Sequence, residues 1–81
     1  MRLPRDISGD ELARLLSAFG YVAVRQTGSH VRLSTAQCGE HHVTIPRHHP
    51  LRIGTLSGIL GEIADHFHLE RNDLIEKLFD R

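Results

Sequence analysis

The first apolar stripe of the chain has the period of a helix. Its apolar positions follow the i, i+3, i+4, i+7 spacing: Leu12, Leu15, Leu16 and Phe19. Ser8 and Glu11 form a capping-box pattern, in which each side chain satisfies a free N–H at the helix start. Ile7 and Leu12 are spaced for a hydrophobic staple, and Gly20 supplies a stop signal. The pattern predicts a helix from about residue 8 to 19.

The next part of the chain has the alternation of short strands. In residues 30–34, Val31 and Leu33 share one face, whereas His30 and Arg32 share the other. Residues 21–25 are rich in β-forming side chains, and residues 41–45 alternate again, with Val43 and Ile45 on one face and His42 and Thr44 on the other. Turn chemistry at Thr27-Gly28 and a polar segment at 35–40 separate the three runs. We therefore expect a three-stranded antiparallel meander.

Two further helices follow the predicted sheet. Pro46 ends the third strand, and a second helical stripe follows with Thr55 as its predicted N-cap: Leu56, Ile59, Leu60, Ile63 and Phe67. A third, short helix is predicted over about 70–80 from the last apolar positions: Leu74, Ile75, Leu78 and Phe79. The order predicts an α+β fold, a double-stranded-RNA-binding-domain-like α-β-β-β-α sandwich with a short extra C-terminal helix. Such a sheet buries one face under helices and leaves the other open.

Length and composition narrow the class of protein. The 81 residues favour one domain, 1–81, with its core over about 5–68 and the C-terminal helix beyond. No apolar run approaches the roughly 20 residues of a membrane span, and the first residues lack the apolar stretch of a signal peptide. The single cysteine, Cys38, excludes an internal disulfide. We expect a cytoplasmic protein with no membrane association.

The charges cancel overall but are unevenly distributed. Ten basic residues balance ten acidic ones, and nine of the ten basic residues are arginines. Residues 1–57 carry a net charge of +3, whereas residues 58–81 carry −3. Two interpretations remain open, namely an ordinary solvated surface and an anion-binding face on the first 57 residues.

Residues Gly28-Ser29-His30 are the first candidate for chemistry. An imidazole takes and gives a proton near neutrality, as removal of the proton from an RNA 2′-hydroxyl requires. His30 lies beside Arg32 on the predicted open face and follows a turn at which glycine lets a backbone approach closely. The alternative is that His30 is only an outward polar residue.

The segment from residue 46 to 55 is the second candidate. Arg47, His48, His49 and Arg52 precede a helix N-terminus, where free N–H groups and the helix dipole favour phosphate. A solvated loop stiffened by proline is the alternative. Cys38 and the nearby histidines do not have a recognised zinc-site spacing, and His41 and His42 alternate across a strand, so we predict neither a metal site nor a cofactor.

Taken together and in order, the motifs resemble those of the HicA toxins, the mRNA interferases of HicA/HicB toxin–antitoxin systems. The resemblance covers residues 3 to about 70 and rests on four features: the helix closing on Gly20-Tyr21, Arg25-Gln26-Thr27-Gly28-Ser29-His30, Val43-Thr44-Ile45-Pro46-Arg47-His48, and Gly54-Thr55-Leu56 with Ile59-Leu60. It implies that His30 is catalytic and that the segment from Pro46 to His48 contacts RNA or supports the site. It also implies a HicB-type antitoxin as partner. The antitoxin covers the catalytic face, and the toxin–antitoxin complex contacts operator DNA only through the antitoxin. The neutral charge of this chain departs from the usually basic, lysine-rich family.

The leading hypothesis is a metal-independent endoribonuclease that cleaves mRNA. His30 is the predicted general base or acid, Arg32 and Arg47 neutralise the phosphate, and His48 is a candidate for the second proton transfer. The predicted RNA-binding residues are Gly28, Ser29, Arg32, Arg47, His48, Arg52 and Thr55. Two alternatives remain: a non-catalytic RNA-binding module of the same fold, and a decayed toxin that retains only antitoxin binding.

Overall fold

The computed structural model describes residues 3–79 and has the predicted order of elements. It contains α1 (Gly9–Leu16, continued by a 3₁₀ turn at Ser17–Phe19), β1 (Val22–Thr27), β2 (His30–Thr35), β3 (His41–Pro46), α2 (Ile53–Phe67) and α3 (Arg71–Phe79). The strands form one antiparallel sheet in the order β1-β2-β3. The α+β fold with an extra C-terminal helix is therefore confirmed.

Helix α1 begins and ends as its local sequence predicts. The Glu11 N–H donates to Ser8 Oγ at 3.0 Å, and the Ser8 N–H donates to the Glu11 carboxylate at 3.0 Å, which closes the capping box. Ile7 and Leu12 are both buried, as a hydrophobic staple requires. After the 3₁₀ turn, Gly20 adopts φ +83°, a left-handed conformation that glycine takes without steric cost.

The sheet buries one face of its central strand. Val31, Leu33 and Thr35 of β2 are buried, whereas the alternate side chains of β2 lie on the open face. Helices α1 and α2 pack against β3, whereas the edge strand β1 is exposed. All six residues of β1 are exposed, so the expected covering by helices applies to β2 and β3 only.

Strand β1 contains a bulge that changes which side chains face the open side. Val22 pairs with Ser34 and Ala23 with Leu33, but the next pair is Arg25 with Arg32. Val24 is therefore the inserted residue. Strict alternation from Val22 would turn Arg25 toward the helix-covered face, whereas the bulge brings it to the open face.

Helix α2 starts earlier than the sequence analysis predicts. The N-cap is Arg52, in an extended conformation and with no side-chain cap, so the assignment of Thr55 as the cap is wrong. The Leu56 N–H already donates to the Arg52 carbonyl at 2.9 Å, which places Ile53 and Gly54 inside the first turn.

The C-terminal helix α3 contributes to the same core as the rest of the fold. Leu74, Ile75 and Leu78 are buried and join the cluster formed by the sheet and the other helices. Within residues 3–79, none of the helices combines the length and the apolar content needed to cross a membrane.

Candidate active site

An open cleft of about 190 Å³ lies on the solvent-facing side of the sheet. It is lined by residues of all three strands: Arg25, Thr27, His30, Arg32 and Thr44. The strand register explains the grouping, because Thr27 pairs with His30, Arg25 with Arg32, and Arg32 with Thr44. Partners in an antiparallel pair project from the same face, so the cleft presents one imidazole, two guanidiniums and two hydroxyls to solvent.

The turn before His30 holds it at the start of β2. Gly28 and Ser29 form a two-residue connection between β1 and β2, with Gly28 at φ +56°. A positive φ at the first central residue is the glycine requirement of a type II′ hairpin turn. The Arg47 N–H donates to the Ser29 carbonyl at 2.6 Å, which ties the turn to the end of β3. His30 therefore sits on a strand whose neighbours on both sides fix its position.

The Arg47 and His48 side chains are placed differently from the expectation that they share the site with His30. The Arg47 guanidinium makes two hydrogen bonds to the Asp10 carboxylate, at 2.9 and 3.2 Å, and this contact raises the pKa of Arg47. His48 is exposed, and its carbonyl accepts the Gly9 N–H at 3.0 Å. Neither side chain lines the cleft.

The predicted residues at the start of α2 also lie outside the cleft lining. Arg52 is exposed at the uncapped helix end, and Thr55 is half-buried in the first turn. The structure thus places His30 and Arg32 in the cleft, with the Gly28-Ser29 turn directly before His30, and leaves the α2 N-terminus outside the cleft lining.

Three cleft residues were missed as candidates by the sequence reasoning. Thr44 is signalled by the alternation of β3, which already places it on the open face. Arg25 and Thr27 belong to the run that precedes the Gly-Ser-His motif, but the alternation of β1 does not reveal the bulge that turns them outward.

A second cluster of titratable side chains lies at the other end of the sheet, where His41 pairs with Thr35. Tyr21 Oη and His41 Nδ1 are 2.7 Å apart, and the His41 and His66 rings stack with centroids 4.4 Å apart. The His66 Nε2–H donates to the Gln37 carbonyl at 2.9 Å. Burial raises the pKa of Tyr21 to about 12, so its hydroxyl stays protonated and can either donate to His41 Nδ1 or accept from it.

We expect this cluster to make the stability of the fold depend on pH. Burial and then the neighbouring His66 lower the pKa of His41, with a smaller contribution from His42, whereas Glu62 opposes the shift. The unfolded chain therefore binds this proton more readily, and the free energy of unfolding decreases as pH falls below the ordinary His pKa of 6.5. Urea unfolding at pH 8 and pH 5.5 should show a smaller pH dependence for His41→Gln than for the wild type.

The matched control for that experiment is His48→Gln, which removes an exposed imidazole outside the cluster. It should retain more of the wild-type pH dependence than His41→Gln does. An equal pH dependence in His41→Gln and the wild type would contradict the assignment.

Comparison with known protein families gives a match. The model of the family described as the HicA toxin of bacterial toxin–antitoxin systems matches residues 9–64. These residues contain α1, all three strands, the five residues of the cleft and most of α2. The comparisons with curated proteins and with solved structures gave no significant match. Because the matched residues make up more than half of the chain, the chain belongs to the HicA toxin family.

Proposed function

We propose that the protein is an mRNA interferase toxin, a metal-independent endoribonuclease that a HicB-type antitoxin neutralises. The observation that carries this proposal is the open-face cleft in which His30 lies beside Arg32, in a chain of a toxin–antitoxin family. Both side chains are exposed on the central strand of the sheet, so an extended RNA can reach them without rearrangement of the fold.

His30 takes the proton of the 2′-hydroxyl in the proposed reaction. The 2′-oxygen then attacks the adjacent phosphorus, the bond from phosphorus to the 5′-oxygen breaks, and a proton is delivered to that leaving oxygen. The products are a 2′,3′-cyclic phosphate and a 5′-hydroxyl. Arg32 neutralises charge on the phosphate. His48 is the proposed second proton donor, since it follows Pro46, the strand partner of His30, by two residues.

The RNA path beyond the cleft runs, in this proposal, toward the segment from residue 47 to 55. Arg47 can exchange the Asp10 carboxylate for a phosphate, because exposed ion pairs contribute little to stability. Arg52 and Thr55 lie at an uncapped helix N-terminus, whose free N–H groups suit a phosphate. Gly28 and Ser29 place the hairpin backbone next to the RNA.

The partners follow from the same assignment. The substrate is mRNA, which places the protein in the cytoplasm, and the HicB-type antitoxin inhibits by covering the cleft. Operator DNA is contacted only through the antitoxin. No metal ion or cofactor takes part in the proposed reaction.

The test is cleavage of a defined single-stranded RNA by the purified protein in the presence of EDTA. We expect cutting with 2′,3′-cyclic phosphate ends, and no cutting where the nucleotide at the scissile position is 2′-deoxy. Cleavage of the deoxy substrate, or dependence on a divalent metal, would contradict the mechanism. Binding of RNA with no cleavage would assign the protein to the non-catalytic RNA-binding alternative.

A further inference from the structure

Two arginines that line the cleft lie opposite each other in the β1–β2 strand pair. Arg25 of β1 is the direct partner of Arg32 of β2, and both line the cleft with His30. Both guanidiniums are charged at any physiological pH. Arg32 belongs to the reaction proposed above, whereas Arg25 has no role in it.

This pairing is electrostatically unfavourable unless an anion accompanies it. Like charges directly opposite each other in an antiparallel pair are destabilising. No salt bridge formed within residues 3–79 involves Arg25 or Arg32, whereas Arg47 has the Asp10 carboxylate as its partner. A phosphate between the two guanidiniums would remove the repulsion and satisfy donors of both.

The bulge in β1 creates the pairing of Arg25 with Arg32. If the pairing of Val22 with Ser34 and Ala23 with Leu33 continued without a bulge, Val24 would lie opposite Arg32 and Arg25 opposite Val31, on the side of the sheet that the helices cover. A bulge interrupts the regular hydrogen-bonded pairing of two strands and leaves one residue unpaired. Bulges are common next to active sites, where they change the direction of a side chain. Val24 itself gains little burial here, because it is 54% exposed.

We propose that Arg25 is a second phosphate-binding catalytic residue, which together with Arg32 holds the non-bridging oxygens of the scissile phosphate while His30 acts at the 2′-oxygen. The inference rests on the proposed nuclease function and identifies the group that recognises its substrate. As the 2′-oxygen attacks, negative charge accumulates on those oxygens, so both guanidiniums bind the transition state more tightly than the ground state. Arg25 therefore acts on kcat more than on KM.

The first measurement compares Arg25→Gln with Arg14→Gln in steady-state cleavage of one RNA. Arg14 is an exposed arginine of α1, outside the cleft, so the control makes the same chemical change elsewhere. We expect Arg25→Gln to lower kcat by about 100-fold and Arg25→Lys to recover part of that loss, because lysine keeps the charge but loses the planar fork. Arg14→Gln should remain within about twofold of the wild type, as expected for a surface change. An Arg25→Gln enzyme as active as Arg14→Gln would overturn the inference.

A second measurement separates this inference from the nuclease assignment. The affinity for a fully 2′-O-methylated version of the RNA, which cannot be cleaved through its 2′-oxygens, is measured by fluorescence anisotropy at several salt concentrations. Loss of one phosphate contact in Arg25→Gln should reduce the slope of log K against log salt by about 0.7, with no such change in Arg14→Gln. Suppose the wild type cuts no RNA, but the slope of log K against log salt is smaller for Arg25→Gln than for the wild type. The phosphate site is then supported and the nuclease assignment fails. If the wild type cuts RNA and neither slope nor kcat responds to Arg25→Gln, the nuclease assignment stands and the role of Arg25 is refuted.

Discussion

Replacing His30 by glutamine should lower the proposed rate of RNA cleavage by about 1,000-fold, the size expected for loss of a general base. Glutamine keeps a polar side chain of similar reach but cannot take a proton near neutrality. His30 is exposed, so the substitution removes no packing and should shift the free energy of unfolding by no more than about 0.5 kcal/mol. Single-turnover cleavage in EDTA, with thermal unfolding of the same preparations, measures both quantities.

The matched control is His42→Gln. His42 is also an exposed histidine on the open face, opposite Ser34, but it lies outside the cleft and pairs with Glu40 at 3.1 Å. Its variant should cut RNA at the wild-type rate. Equal losses in the two variants would indicate a general effect of charge on RNA binding, and no loss in His30→Gln would remove His30 from the mechanism.

The Gly9→Ala substitution should destabilise the fold by about 2 kcal/mol, within the usual cost of forcing extra atoms into a packed site. A Cβ at this position would lie 1.9 Å from the Pro46 carbonyl oxygen, and its next neighbours are also backbone atoms. The Gly9 N–H donates to the His48 carbonyl at 3.0 Å, so the clash cannot be relieved without loosening the contact between α1 and the end of β3. For a domain of this size, we expect the melting temperature to fall by about 10 °C.

Gly58→Ala is the control, because the same change at this position has open space around it. Gly58 is an exposed residue inside α2, where alanine is favoured over glycine by about 0.5–1 kcal/mol. The two substitutions should therefore shift the unfolding midpoint in urea in opposite directions. A stabilised Gly9→Ala protein would show that the close approach of α1 to Pro46 is not required.

Structural features that depend on residues close together in the chain could be predicted from the sequence. The capping box of Ser8 and Glu11 involves residues three positions apart, so the α1 start follows from the chain itself. Alternation in β2 places His30 and Arg32 on the open face, because consecutive side chains of a strand point to opposite sides. The family resemblance on the Gly28-Ser29-His30 motif also holds, since the family match spans it.

Side-chain contacts outside the cleft join segments far apart in the chain. Arg47 is 37 residues from its partner Asp10, and Tyr21 is 20 residues from His41. Such pairs depend on how strands and helices pack, and no local pattern encodes them. Thr55 was wrongly assigned as the N-cap of α2 because the true N-cap, Arg52, makes no side-chain capping hydrogen bond. The sequence therefore has no capping residue that marks where this helix begins.

The sequence by itself therefore determined the order of elements, the apolar faces and the position of His30 and Arg32 on an accessible surface, because these follow from periodicity within single elements. Only the tertiary structure decided the register of β1 against β2. One inserted residue, Val24, reverses the face of every β1 side chain after it, and this is why Arg25 and Thr27 join the cleft.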